Sequence, residues 1–261
     1  MPQTNLSLPQ RIDIAFETLS VPPPYSYEYT FQLQFQASQL TLMYALHYTD
    51  RDELSEEEIW EEGFTQDDDY QWQGSLPEVW KTTLLEQWKK TQWLPPEDLR
   101  DASENALMLT TTLAEGSQHK GVPQPQTEWE YLLQELTQAV YEAAEREYPL
   151  HIRYLDQQHL GEKTILSLTA SFLQRSVDIE ISQGTRQHRR NHPWSTLAPL
   201  LTTMYLLDYQ PEHANPKSPT QPGIYLDPGD GLWYAFGTQV TNPGNSDSLA
   251  KLSRIFSQLL M

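Results

Sequence analysis

The chain has 261 residues and a formal net charge of −19 at pH 7, which disfavours generic binding to nucleic-acid phosphates and to anionic lipid. It has no cysteine, and this excludes disulfides, thiolate metal sites and cysteine nucleophiles. Its 8 Trp, 14 Tyr and 7 Phe supply enough aromatic area for a core, which excludes a chain that is disordered by composition.

The N-terminal residues and the hydropathy indicate the compartment. Residues 1–10 have neither the basic region nor the apolar region of a secretory signal. No window approaches the roughly 18 apolar residues that a membrane helix needs. We therefore expect a cytoplasmic protein that binds neither nucleic acid nor membrane, and the acidic charge favours a basic protein as its partner.

The first predicted feature is a meander of three antiparallel strands between Arg11 and Asp50. Strand side chains alternate between the two faces of a sheet, and the middle strand alternates without a break. Its apolar parity consists of Tyr25, Tyr27, Tyr29, Phe31, Leu33 and Phe35, and its polar parity of Ser26, Glu28, Thr30, Gln32, Gln34 and Gln36. The pattern predicts a sheet that packs on a core with one face only.

An acidic segment, Asp52 to Asp69, follows the meander. Ser55 and Glu58 have the spacing of a capping box, so we predict a short helix that begins there and stops at Gly63. The charges fit either a solvated helix face or a contact surface for a basic partner, and their spacing matches no EF-hand loop, so we expect no metal site. The expected partner-binding residues are Glu56, Glu57, Glu58, Glu61, Glu62, Asp67, Asp68 and Asp69.

The next segments predict helices, strands and one linker. Helical spacing of Trp80, Leu84 and Trp88 predicts a core-facing helix that begins at Pro77, and residues 106–113 suit a strand. Residues 117–126 are rich in Gly, Pro and polar residues and predict an exposed linker. This places a boundary between an N-terminal half, 1–116, and a second half, 127–261, although a single domain fits nearly as well.

The second half predicts a long amphipathic helix from Thr127, a strand pair, and a further strand after a turn at 173–176. A hairpin around Asp227 to Gly231 and a last helix after Ser246 complete it. The predicted fold class is α+β: an antiparallel sheet, built from the N-terminal three-strand meander, with packed helices and a second strand-rich half.

A basic cluster at 184–192 is expected to form a surface loop before a helix. Arg186, Arg189 and Arg190 are candidate anion ligands, because the free amides and the dipole of a helix N-terminus attract anions. The alternative is that they pair with acidic side chains of this protein or of a partner. His188 and His192 have a metal-ligand spacing, but Pro193 disfavours the helix that would bring them together.

Three tryptophans that lie off the apolar stripes raise the question of sugar binding. Trp60, Trp72 and Trp93 could stack on sugars near carboxylates, as in glycosidases. Packing in the core or at a domain interface fits them better.

No catalytic motif with a known mechanism occurs in the sequence, whether a phosphate-binding loop, a nucleophile elbow or a zincin helix. Two hypotheses remain. The first is a non-catalytic acidic interaction protein, of inhibitor or adaptor type, that binds a basic partner surface and needs no cofactor. The second is a hydrolase that uses carboxylates and His from separated segments, because catalytic groups often meet only in the fold.

Overall fold

The computed structural model describes residues 8–37, 39–95, 105–158 and 163–261, and these residues form five helices and 15 strands. The residues divide into two units, Met1–Glu147 and Tyr148–Met261. The strands pair antiparallel and helices accompany both sheets, so the predicted α+β class is confirmed. Residues 1–7, where no signal peptide is expected, lie outside the described residues.

The first unit is built on a seven-stranded sheet with the strand order β4-β3-β2-β1-β6-β7-β5. Its elements are β1 (Pro9–Glu17), β2 (Tyr27–Phe35), β3 (Leu40–Tyr48), α1 (Glu56–Glu61), β4 (Tyr70–Leu76), α2 (Glu78–Lys90), β5 (Gln92–Leu94), β6 (Ala106–Leu113), β7 (Gln118–Gln124) and α3 (Gln126–Ala143).

The predicted meander is present, and its middle strand has the predicted faces within β2. The two residues before it depart from the prediction, because Tyr25 is 44% exposed and Ser26 is buried. In β2, Phe31 and Leu33 are fully buried whereas Gln32 and Gln34 are exposed. Phe31 lies opposite Ile14 of β1 and opposite Tyr44 of β3, so the apolar parities of the three strands share one face of the sheet.

Helices α2 and α3 bury the stripes that the sequence predicted. Trp80, Leu84 and Trp88 of α2 are buried, and α3 buries a stripe that includes Trp129. Tyr141 of α3 contacts the Tyr44 ring edge-on at a centroid distance of 6.3 Å. Helix α3 therefore lies against the apolar face of the sheet, as its amphipathic pattern predicted.

The structure differs from the predicted linker at 117–126, where it places strand β7. Lys120 pairs with Thr110 of β6, and Pro123 lies opposite Trp93 of β5. A Cβ on Gly121 would approach the Leu94 carbonyl oxygen to 2.9 Å, so this glycine permits the close approach of β5 instead of giving flexibility. The division between the units follows Glu147, which places α3 in the first unit instead of the second.

The second unit contains a six-stranded sheet with the order β11-β10-β9-β8-β13-β14 and a two-stranded sheet, β12-β15. Its elements are β8 (Leu150–Gln157), β9 (Thr164–Ser171), β10 (Ser176–Gln183), β11 (Arg186–His192), α4 (Leu197–Tyr205), β12 (Asp208–Tyr209), β13 (Gly223–Asp227), β14 (Tyr234–Ala235), β15 (Val240–Thr241) and α5 (Ser248–Leu259).

The core of this unit lies between the six-stranded sheet and the two helices. Leu168, Ile179, Leu200 and Phe256 are fully buried in one cluster. The predicted turn between β9 and β10 and the predicted β13–β14 hairpin are both present.

Six strands of the first sheet, all except β5, have the same order as the six-stranded sheet of the second unit. In each sheet, four consecutive strands form a meander: β1 to β4 in the first unit and β8 to β11 in the second. The first strand of each meander also pairs with a strand from later in the chain, β6 or β13. Thus β1 lies between β2 and β6, and β8 lies between β9 and β13. The sequence shows no convincing repeat, so this correspondence is visible only in the topology.

Candidate functional site

Helix α1 presents the centre of the acidic segment. The predicted capping box is present: Glu58 N donates to Ser55 Oγ at 3.3 Å, and Ser55 N donates to the Glu58 carboxylate at 2.8 Å. Ile59 is fully buried and anchors the helix, and Gly63, with φ of +83°, follows its end. One side of α1 is therefore fixed to the unit, and the opposite side faces solvent.

Four of the eight predicted partner-binding carboxylates are held by the protein itself. Glu58 closes the capping box, and Glu62 accepts a hydrogen bond from the Tyr25 hydroxyl. Asp68 and Asp69 also have intramolecular partners, described next. These four side chains form intramolecular hydrogen bonds that stabilise local structure, so they are less available to bind a partner than the other four.

Asp68 belongs to a network around a buried arginine. Arg51 is 4% exposed, and its Nη1 donates to Asp68 at 2.8 Å. Its guanidinium carbon lies 3.7 Å from the centre of the Tyr48 ring. Partial burial acts to raise the pKa of Asp68, but hydrogen bonds from Thr65 and Arg51 outweigh it, so the pKa of Asp68 is lowered. This carboxylate therefore stabilises the local fold.

Asp69 pairs with a histidine from β3. His47 Nδ1 lies 2.5 Å from Asp69 Oδ2, and Tyr48 N donates to the same carboxylate at 2.9 Å. The hydrogen bond to Asp69 is the main cause that raises the pKa of His47. The two side chains are 58% and 50% exposed. The fold thus brings together one His and one carboxylate from separated segments, and it does so at the surface.

Three of the other four carboxylates lie beside one exposed tryptophan. Glu56 and Trp60 are four positions apart, and Glu57 is three positions before Trp60 and four before Glu61, so these side chains share one side of α1. Trp60 is 77% exposed. The three glutamates are exposed and form no side-chain hydrogen bond or ion pair with the described residues. We call Glu56, Glu57, Trp60 and Glu61 the acidic Trp60 face.

The interpretation of Trp60 as a packing residue is wrong, because the inward side of α1 is occupied by Ile59. Trp72 and Trp93 are each partly buried.

Asp67, the last of the eight predicted partner-binding residues, is exposed in the turn before β4. Within the described residues, no three His, Asp or Glu side chains lie close enough together to hold a metal ion.

A second feature was not predicted from sequence: a cavity of about 240 Å³ between the apolar face of the first sheet and α3. We call it the tyrosine groove, because Tyr27, Tyr29, Tyr44, Tyr48 and Tyr141 line it. The other lining residues are Phe16, Leu46, Asn105, Glu130, Gln134, Thr137 and Gln138. The only available signal was the unusual use of tyrosine at core-facing positions of β2 and β3, since a buried phenol needs a polar partner.

Burial favours the neutral form of four phenols of the groove. Desolvation is the main cause that raises the pKa of Tyr27, Tyr29, Tyr44 and Tyr141 above the ordinary value of 10.0. Among the described lining residues Glu130 alone is charged, and its Oε1 accepts a hydrogen bond from Gln126 Nε2 at 2.8 Å. The groove therefore combines aromatic rings, neutral hydroxyl and amide groups, and one carboxylate.

The basic cluster forms strand β11 and not the predicted loop. Arg190 lies opposite the buried Ile179, whereas Arg189 lies opposite Glu180 on the other face, so the predicted anion ligands Arg186, Arg189 and Arg190 do not share a face. Helix α4 begins only at Leu197, after a 3₁₀ turn. The loop prediction failed because a strand exposed on both faces has no apolar alternation. Charged side chains on such an edge strand block further strand pairing.

The Asp227 to Gly231 turn is organised by its own hydrogen bonds. Asp227 is 2% exposed, pairs with Arg153, and accepts hydrogen bonds from Gly229 N at 2.9 Å and Gly231 N at 3.1 Å. The carboxylate is thus used to close the β13–β14 hairpin.

Among the described helices, none is both long enough and apolar enough to cross a membrane. Comparison with family models, with curated proteins and with solved structures gives no significant match to this chain.

Proposed function

We propose that this protein is a non-catalytic binding protein, of inhibitor or adaptor type, whose acidic Trp60 face contacts a basic surface of a partner protein. The observation that carries the proposal is the 77% exposure of Trp60 among three carboxylates that have no hydrogen-bond or ion-pair partner in the described part of the chain. Tryptophan is enriched at interface hot spots because it buries a large, rigid area on binding. Here it stands on a helix that is capped and anchored, so little order has to be gained on binding.

Charge supports the same proposal. The net charge of −19 attracts basic surfaces over a distance and raises their rate of association, especially at low salt. The free carboxylates beside Trp60 then provide the close contacts that give specificity. An indole with neighbouring carboxylates is complementary to a Lys or Arg side chain, whose stem packs on the ring while its charge meets the acid.

The hydrolase alternative is supported by one observation, the contact between His47 and Asp69. A histidine oriented by a carboxylate is the base of many hydrolases. Both side chains are at least half exposed, whereas catalytic pairs act in clefts that exclude water. The acidic Trp60 face therefore has the stronger support.

The test uses a fluorescein-labelled nona-arginine peptide and the full chain, with Kd measured by fluorescence anisotropy. One variant carries E56Q, E57Q and E61Q on the acidic Trp60 face. The matched control carries E86Q, E145Q and E147Q, which are exposed in the same unit and change the net charge equally. A third variant is Trp60→Ala.

We expect the face variant and Trp60→Ala each to weaken binding by about tenfold, and the control by less than about twofold. Equal weakening by the face variant and the control would show that only the overall charge attracts the peptide, and the proposal would be wrong. Circular dichroism of each variant checks that the fold is retained.

A further inference from the structure

The tyrosine groove has a chemistry that the acidic Trp60 face does not share. It is a concave site with aromatic walls, whereas the acidic Trp60 face is a convex helix surface. Its volume of about 240 Å³ is below the roughly 300–1,000 Å³ of sites for drug-sized ligands. The groove therefore suits a compact ligand with a single ring or a short apolar body.

The charges of the lining residues determine whether the groove favours a cationic or an anionic ligand. Glu130 supplies one negative charge, and the described residues of the lining include no Lys, Arg or His. Tyr hydroxyls and Gln side-chain carbonyls around it can accept hydrogen bonds from a donor-rich group. An anion would meet Glu130 with no compensating cation among the described lining residues, which disfavours its binding.

The protein itself places cations on this tyrosine cluster. The Arg51 guanidinium carbon lies 3.7 Å from the Tyr48 ring centre, and that of Arg146 lies 5.6 Å from the Tyr141 ring centre. Neither arginine belongs to the lining of the groove. Arg146 lies closer to Tyr70, at 4.1 Å from the ring centre. Two rings of the groove are thus within cation–π distance of a guanidinium group.

We infer that the tyrosine groove binds a small organic cation, a protonated primary or secondary amine on a single-ring or short apolar body, with its ammonium group near Glu130. The aromatic rings would contact the apolar body, and the neutral phenols and Gln side chains would complete the hydrogen bonds of the ammonium group. The negative field of the protein adds to the selection for cations.

Three probes of nearly equal size separate charge from shape. These are 2-phenylethylamine, which is cationic at neutral pH, 2-phenylethanol, which is neutral, and phenylacetate, which is anionic. Isothermal titration calorimetry with the full chain gives the three affinities. Backbone NMR shifts of Thr137 and Gln138 show whether the probe occupies the groove, which these residues line.

We expect the amine to bind at least about tenfold more tightly than the alcohol, and the acid to bind more weakly still. Glu130→Gln should remove the advantage of the amine while it changes alcohol binding by less than about threefold. Glu128→Gln, which removes an exposed carboxylate from the same helix, is the matched control and should change neither affinity by more than about twofold.

The E56Q, E57Q and E61Q variant should bind the amine like the unmodified chain, which separates this inference from the proposed function. Equal affinity for the three probes, equal loss in the Glu128→Gln control, or NMR shifts at α1 instead of α3 would overturn the inference. Absence of binding by all three probes to the folded chain would overturn it as well.

Discussion

His47 Nδ1 lies 2.5 Å from Asp69 Oδ2, and this contact joins the end of β3 to the turn that leads into β4. The hydrogen bond raises the pKa of His47. Partial burial acts against ionisation of Asp69, but the hydrogen bonds from His47 and Tyr48 N outweigh it and lower the pKa of Asp69. Both shifts favour the charged forms of the two side chains. The contact therefore ties the C-terminal end of the acidic segment to β3.

The stability contributed by this pair should depend on pH. The share from His47 is fully present below 6.5, its ordinary pKa, and is lost as the pH rises through the raised value. The share from Asp69 is present above 3.8 and is lost as the pH falls through the lowered value. His47→Ala should therefore destabilise the protein more at about pH 5.5 than at about pH 9, by up to about 1 kcal/mol because the pair is exposed.

An NMR titration of the His47 imidazole provides the direct measurement. Its pKa should lie above 6.5 in the unmodified chain and move back towards that value in Asp69→Asn. An unchanged titration in the variant would show that the contact does not set the pKa.

The one-sided sheet predicts opposite effects for neighbouring residues of β2. Phe31 is fully buried, so Phe31→Ala should lower the free energy of unfolding by roughly 3–5 kcal/mol. Gln34→Ala removes an exposed side chain from the other face and should change it by no more than about 0.5 kcal/mol. Urea denaturation followed by circular dichroism measures both, and similar costs would contradict the assignment of faces.

Two adjacent aspartates should differ in their effect on stability. Asp68→Asn weakens the pairing of the buried Arg51 and should cost roughly 1–3 kcal/mol. Asp67→Asn removes an exposed charge and should change the free energy of unfolding by about 0.5 kcal/mol or less. Thermal melts of the two variants decide the matter, and an equal effect would remove the structural role assigned to Asp68.

Strand β7 should resist proteolysis. Lys120 pairs with Thr110 of β6, and a protease has to detach the strand before it can bind the backbone. Lys217 is exposed in an irregular loop of the second unit and serves as the internal reference. Mass spectrometry of a trypsin time course should show cleavage after Lys217 before cleavage after Lys120. The reverse order would restore the flexible linker.

How far the sequence predicts the fold depends on whether a segment has a buried face. A buried face leaves a periodic apolar pattern in the sequence. The alternation of β2 and the helical stripe of Trp80, Leu84 and Trp88 are two such patterns, and both predictions are confirmed. Strand β11 is exposed on both faces, so its sequence has no apolar alternation that would predict a strand. Strand β7 was not predicted, because Gly121 and Pro123 are typical of loops. Pairing with β5 and β6 decides the conformation of these residues instead.

The candidate sites show the same limit. The capping box of Ser55 and Glu58 is local, and the sequence predicted it correctly. The exposure of Trp60 depends on which side of α1 faces the unit, and the short helix does not encode that choice clearly. The tyrosine groove arises where β2, β3 and α3 leave space between them, and no pattern within one element specifies a gap between elements.

The position of β1 between β2 and β6 has a consequence during synthesis on the ribosome. Ile14 pairs with Phe31 and with Leu109, and the second partner is made about 100 residues later. At roughly 5–20 residues per second, the nascent chain therefore carries one unpaired edge of β1 for about 5–20 s. Ile12, Ile14 and Phe16 lie on that edge strand, so the incomplete sheet offers an apolar edge to chaperones, and to neighbouring nascent chains, until β6 emerges.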